Sequence, residues 1–172
     1  MSKLTALALS IAVLGGVWAF LALGPFGTGD GDAELLVWAG FIAWACYFHT
    51  GADNAALQKT IVGMSYGAVI AGVALALVGA NPLSLPGAVG PAVYIAFTVF
   101  FLVIVAGISL LSVVPANVYG YAATAAYALQ TTGAGSVSAL DLTNPVLLVI
   151  LSTVVGALFG MASGKLAAAI GK

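Results

Sequence analysis

The stretch WAGFIAWACYF, Trp38–Phe48, has a shorter counterpart in the second half of the chain, VYGYAATAAY, Val118–Tyr127. Aligning Gly40 with Gly120 places Trp44 on Thr124 and Tyr47 on Tyr127. Downstream, Gly63-x-x-Tyr66-Gly67 matches Gly156-x-x-Phe159-Gly160 once a longer second loop is allowed. Two halves with short or interrupted apolar segments in matching places are the sequence pointer to a transport site. The competing reading is that any Gly/Ala-rich membrane sequence aligns with itself by chance.

The rest of the chain sets the solvent for these segments. Of 172 residues, 63% are hydrophobic and 5% charged, and mean hydropathy is +1.20. Soluble domains carry about 25% charged residues, so this surface is made for lipid. The chain has room for roughly six spans of ~20 residues in one membrane domain, residues 1–172, with little outside it. A net charge of -1 offers no basic face and argues against nucleic acid as a partner. The single cysteine, Cys46, excludes a disulfide framework and a CxxC pair, and reads as a small packing residue.

Apolar runs divide the chain into six segments, at about 4–23, 35–48, 60–78, 92–111, 115–129 and 145–170. The first follows Lys3 and is long enough to span, so it reads as a retained helix rather than a signal peptide. The second is short. The fourth and fifth are separated at Val114-Pro115, where proline interrupts the run. An all-α membrane protein follows, with two three-segment repeats at about 4–79 and 92–170. An odd number of spans per half inverts one repeat relative to the other. Six crossings place Lys3, Lys59, Lys165 and Lys172 on one side, and Asp30, Asp32, Glu34 and Asp141 on the other. The lysine side is then cytoplasmic, together with both termini.

Gly63 and Gly67, and likewise Gly156, Gly160 and Gly164, fall four residues apart and mark helix faces built for close backbone approach. Such multiple small-residue faces also favour a homo-oligomer. Gly40, Trp44 and Tyr47 share one helix face, as do Gly120, Thr124 and Tyr127. The second and fifth segments thus each present a stripe able to line a slot, flanked by Phe41 and Tyr121. The alternative is an interfacial aromatic belt, which suits Trp38 and Phe48 at segment ends. Asn117, just after Pro115, either satisfies backbone groups freed at the break or faces a polar path. Asn81-Pro82 and Asn144-Pro145 read as helix starts. His49 and Asp53 would form a pH-sensitive pair if the helix continued through them, but Thr50-Gly51 suggests that it stops. One His and one Cys make a poor metal site, and no nucleotide-binding loop or catalytic set is present, so neither enzyme activity nor a cofactor is expected.

Trp38-Ala39-Gly40-Phe41, then Tyr47-Phe48 and Gly51, then Val114-Pro115 and Gly120, resemble a family of small bacterial inner-membrane proteins classed as a domain of unknown function. The resemblance runs from about Trp18 to Gly164. It implies a multi-pass protein of the bacterial inner membrane and supplies neither a substrate nor catalytic residues. Tyr127 stands where a phenylalanine-like residue is expected, which makes the second stripe more polar.

No charge lies centrally in any segment, whereas ion-coupled carriers generally need one. The sequence therefore points to a passive channel or facilitator for a small neutral polar solute such as urea, a short amide or ammonia. Trp44, Tyr47, Thr124 and Tyr127 would line the path, and Phe41 and Tyr121 would narrow it. A structural or accessory subunit of a membrane assembly is one alternative. A proton-coupled carrier using His49 and Asp53 is the other.

Overall fold

A computed structural model describes residues 1–26 and 35–172. The expected acidic group Asp30, Asp32 and Glu34 lies outside the described residues. Six α-helices follow one another: α1 Lys3–Leu23, α2 Val37–Thr50, α3 Asn54–Ala80, α4 Val89–Ile104, α5 Val114–Gln130 and α6 Pro145–Ile170. No strand occurs among the described residues.

Side-chain caps fix several of these ends. Ser2 accepts the Thr5 amide at the start of α1. Asp53 accepts the Ala56 amide and starts α3 one and a half turns earlier than the apolar run at Thr60 suggests. Asn144, ahead of Pro145, accepts the Val146 and Leu147 amides and starts α6. Each supplies a partner for amides that lack one in a first helical turn. Asn81-Pro82 does the opposite of what its sequence suggests. Asn81 takes left-handed backbone (φ 39°) as the C-cap of α3, and its Oδ1 accepts the Leu85 amide and the Tyr94 hydroxyl.

Helices α1, α3 and α6, and the stretch Val89–Gly107, are long and apolar enough to cross a membrane. Helix α2, with 14 residues, reaches only about 21 Å at 1.5 Å per residue. Helix α5, with 17, reaches about 25 Å, against a hydrocarbon core of ~30 Å. The fourth segment departs from the expected 92–111. Its α-helix ends at Ile104, and two 3-10 turns, Val105–Gly107 and Ser109–Leu111, lead into α5. The bend centres on Ile108, whose backbone is extended (φ -88°, ψ 126°).

The short helices pack most extensively on long helices of the other half, α2 on α6 and α5 on α3. Both pairs run parallel. Gly156 of α6 lies against Gly40 of α2, Gly160 against Trp44, and Gly164 against Phe48. Gly63 of α3 lies against Asn117 of α5, and Gly67 against Tyr121. Helix α1 packs on α6 and α4 on α3, completing the outside of the four inner helices.

Glycine is required where these backbones meet. A Cβ on Gly156 would overlap the Cα and carbonyl of Gly40, one on Gly120 the Met64 carbonyl, and one on Gly67 the Asn117 carbonyl. Lipid gives helices little hydrophobic reason to associate, so close packing carries the cohesion. Gly40 has a second neighbour, the indole of buried Trp18, at 2.5 Å from where its Cβ would stand. The Trp18 Nε1–H donates to the Val37 carbonyl at 3.0 Å.

Candidate functional site

The two expected stripes do not face one another. Trp44 and Tyr47 turn toward α6, where both rings lie against Gly160. Trp44 Nε1–H donates to Ser163 Oγ at 3.0 Å in a buried bond, and the Tyr47 hydroxyl donates to the Ala52 carbonyl at 2.6 Å. Thr124 is fully buried, and its hydroxyl returns to the Gly120 carbonyl of its own helix at 3.0 Å. Tyr127 packs with Ala68, Leu148 and Val149. Phe41 stacks on Trp44 and lies beside Gly15 of α1, while the Tyr121 hydroxyl pairs with Thr98 of α4 at 3.1 Å. Phe41 and Tyr121 thus belong to opposite flanks of the bundle.

Asn117 takes the first of its two expected roles. Its Nδ2 donates to the Leu102 carbonyl at 3.2 Å and the Leu111 carbonyl at 3.1 Å, bridging the backbone on either side of the bend after α4. Its Oδ1 is buried without a partner among the described residues, as is the Thr153 hydroxyl. An interior amide is expensive in lipid unless partnered, and here it supplies donors that the broken helix no longer can.

His49 and Asp53 part company because α2 ends at Thr50, with Gly51 at φ 127°. Asp53 Oδ1 accepts the Ala56 amide as the α3 cap. Both residues are exposed, and they line different cavities.

Two similar cavities lie at opposite ends of the α2/α5 seam. One, of about 410 Å³, is lined by Ile42, Ala45, Cys46 and His49 of α2, with Tyr119 of α5. The other, of about 380 Å³, is lined by Ala126, Tyr127 and Gln130 of α5 and by Thr131, with Trp38 of α2. Each cavity therefore draws mainly on the C-terminal half of one short helix and takes one aromatic ring from the N-terminal half of the other. The offset that aligns Gly40 with Gly120 also carries Cys46 onto Ala126. Near the middle of the two short helices, Ala43 and Ala123 are both buried, Ala43 packing with Met64, Ala116 and Ala157 and Ala123 with Ala68, Leu148 and Val149. Of the expected stripe residues only Tyr127 reaches either cavity. Tyr119 and Trp38 lie outside the two stripes, which run through Gly40 and Gly120. Those glycines face α6 and α3, so the seam lies on another side of each helix.

The lysines gather at one end of the bundle. Lys3 and Lys165 line a further cavity of about 610 Å³ together with Asp53, and the Lys172 amide donates to the Met1 carbonyl at 3.0 Å. Lys59 lies in the second turn of α3, whose cap is Asp53. Asp141 precedes α6, at the other end of that helix from Lys165.

Neither the curated proteins nor the solved structures contain a match to this chain. A family model matches residues 8–168, a longer stretch than the motifs around Trp38 and Pro115 delimit. The chain belongs to the family described as "Protein of unknown function (DUF1097)", and its apolar helices make it a membrane protein.

Proposed function

We propose that the protein is a passive facilitator for a small neutral polar solute of the urea, amide or ammonia class. The observation that carries this reading is the pair of cavities on the α2/α5 seam, similar in size and opening at opposite ends of the two short helices. Their polar groups are hydrogen-bonding side chains with no carboxylate or ammonium among them, Tyr119 and Cys46 with His49 at one end and Tyr127, Gln130 and Thr131 at the other. Such groups replace a neutral solute's water without requiring a counter-charge. The path runs between the short helices, from one cavity to the other.

The architecture we propose for this path is six crossings arranged as two inverted repeats, α1–α3 and α4–α6. Exchanging α1 with α4, α2 with α5 and α3 with α6 turns every helix–helix interface into another that is present. Crossing at the short helices needs bilayer thinning or cover from neighbours, both of which membrane helices use. The lysine end faces the cytoplasm by charge bias, in the bacterial inner membrane that the family resemblance implies. A homo-oligomer would shield the seam from lipid.

A second reading, an accessory subunit of a membrane assembly, draws on the backbone-level packing at Gly67, Gly120 and Gly156. Stopped-flow light scattering on proteoliposomes separates the two. Faster urea or acetamide entry than in empty liposomes, slowed when Ala126→Trp fills one cavity, is the facilitator's result. Folded protein with traces equal to empty liposomes for urea, acetamide and ammonia removes it and leaves the accessory subunit.

A further inference from the structure

The largest of these cavities, at the lysine end, takes no part in the path proposed above. It opens between the start of α1 and the last turns of α6, beside the α2–α3 turn. Small residues on α6, Gly164, Ala167 and Ala168, leave the space, and Leu7 and Phe48 give it apolar walls. A Cβ on Gly164 would stand 3.7 Å from the Phe48 ring, in ordinary contact with it. Two ammonium groups, Lys3 and Lys165, belong to different helices and line the same space. One carboxylate, Asp53, joins them, already engaged by the Ala56 amide.

We propose that this cleft binds the headgroup of a singly charged anionic phospholipid whose headgroup carries hydroxyls, phosphatidylglycerol being the type. The phosphate lies between Lys3 and Lys165, and an acyl chain descends along Leu7 and Phe48. Two lysines against one aspartate leave the lining one positive charge in excess, which matches one phosphate. Asp53 accepts headgroup hydroxyls and repels a second phosphate, so a two-phosphate lipid fits less well. Basic pockets between membrane helices on the lysine-rich side recognise lipid headgroups in this manner. Lys59 serves as an internal control, since it lies near the same end of the bundle and does not line the cleft.

The full-length protein in detergent micelles is titrated with phosphatidylglycerol, phosphatidylethanolamine and phosphatidylcholine, and retained lipid is counted by native mass spectrometry. Phosphatidylglycerol is expected to be retained in preference to both others. Lys3→Gln and Lys165→Gln should each weaken its retention roughly fivefold, from about 1 kcal/mol per lysine, while Lys59→Gln leaves it unchanged. Both lysines are exposed, so the variants keep the wild-type unfolding temperature. Equal retention of phosphatidylethanolamine overturns the proposal, because its amine would then be satisfying Asp53. An equal loss in Lys59→Gln also overturns it, by showing a diffuse field instead of a site.

Discussion

Replacing Gly156 by alanine tests the packing directly, because the added carbon has only backbone to meet. Its Cβ would overlap the Cα and carbonyl of Gly40, and neither can rotate away as a side chain would. The α2/α6 pair must separate, loosening the contacts of Trp44 and Tyr47 with Gly160. Overpacking of this kind costs about 1–3 kcal/mol, with the upper part of that range expected against backbone. Alanine's better helix propensity returns about 1 kcal/mol, leaving a net loss of about 2 kcal/mol. Gly16→Ala receives the propensity term alone, since nothing among the described residues lies within 4 Å of its Cβ position. Between them, Gly160→Ala places its Cβ 3.1 Å from the Trp44 and Tyr47 rings, and Gly164→Ala 3.7 Å from Phe48. Unfolding by denaturant titration in micelles should therefore rank the variants Gly156, Gly160, Gly164 and Gly16, from most to least destabilised. Equal stability of Gly156→Ala and Gly16→Ala would refute the reasoning.

Asn117→Leu removes both donors that bridge Leu102 and Leu111 while also removing the unpartnered Oδ1. Two lost hydrogen bonds at about 1 kcal/mol each give a net destabilisation of ~2 kcal/mol, with faster amide exchange around the bend as its local sign; wild-type stability and exchange would show that the bridge contributes nothing. Outside the spans, the Thr143 hydroxyl and amide both donate to Asp141 and hold its carboxyl below the usual carboxylate range. A depressed folded-state pKa contributes stability above the unfolded value and loses it as pH falls through the folded one. Thr143→Val should raise the Asp141 pKa in an NMR titration and move that loss to higher pH, and an unmoved titration would disprove the coupling.

The helices that read correctly are those whose ends carry local chemistry. Asn144-Pro145 starts α6 at the expected residue, and Gly51 stops α2 where Thr50-Gly51 suggested. The start of α3 is legible only through the Asp53 cap, because Gln58 and Lys59 interrupt the apolar run there. The end of α4 is harder. The run from Ala92 to Leu129 shows its strongest breaker at Pro115, yet the α-helix ends at Ile104. Asn117 makes that ending affordable by taking carbonyls on both sides of the bend, and this is a tertiary contact that no local window contains. Asn81 fails for the same reason, since its side chain serves Leu85 and Tyr94 across the α3–α4 loop.

The glycines identified faces without identifying what those faces meet. Gly63-x-x-x-Gly67 and Gly156-x-x-x-Gly160 mark faces for close backbone approach on α3 and α6, and these two helices do touch. Their glycines, however, are occupied by the short helices of the opposite halves. A small residue records that another backbone comes close, not which backbone, so the partner is set by the three-dimensional exchange between halves. That exchange also explains the misplaced stripe. Gly120 faces α3, where the Met64 backbone excludes a Cβ, and Gly40 lies under Gly156 of α6 while the Trp18 indole fills the place of its own Cβ. The side chains on the same face, Trp44 and Tyr47 in one helix and Thr124 in the other, were then committed to packing. The path proposed between the short helices uses the neighbouring face, where Ala45 and Ala126 are small and Tyr119 and Trp38 supply the rings.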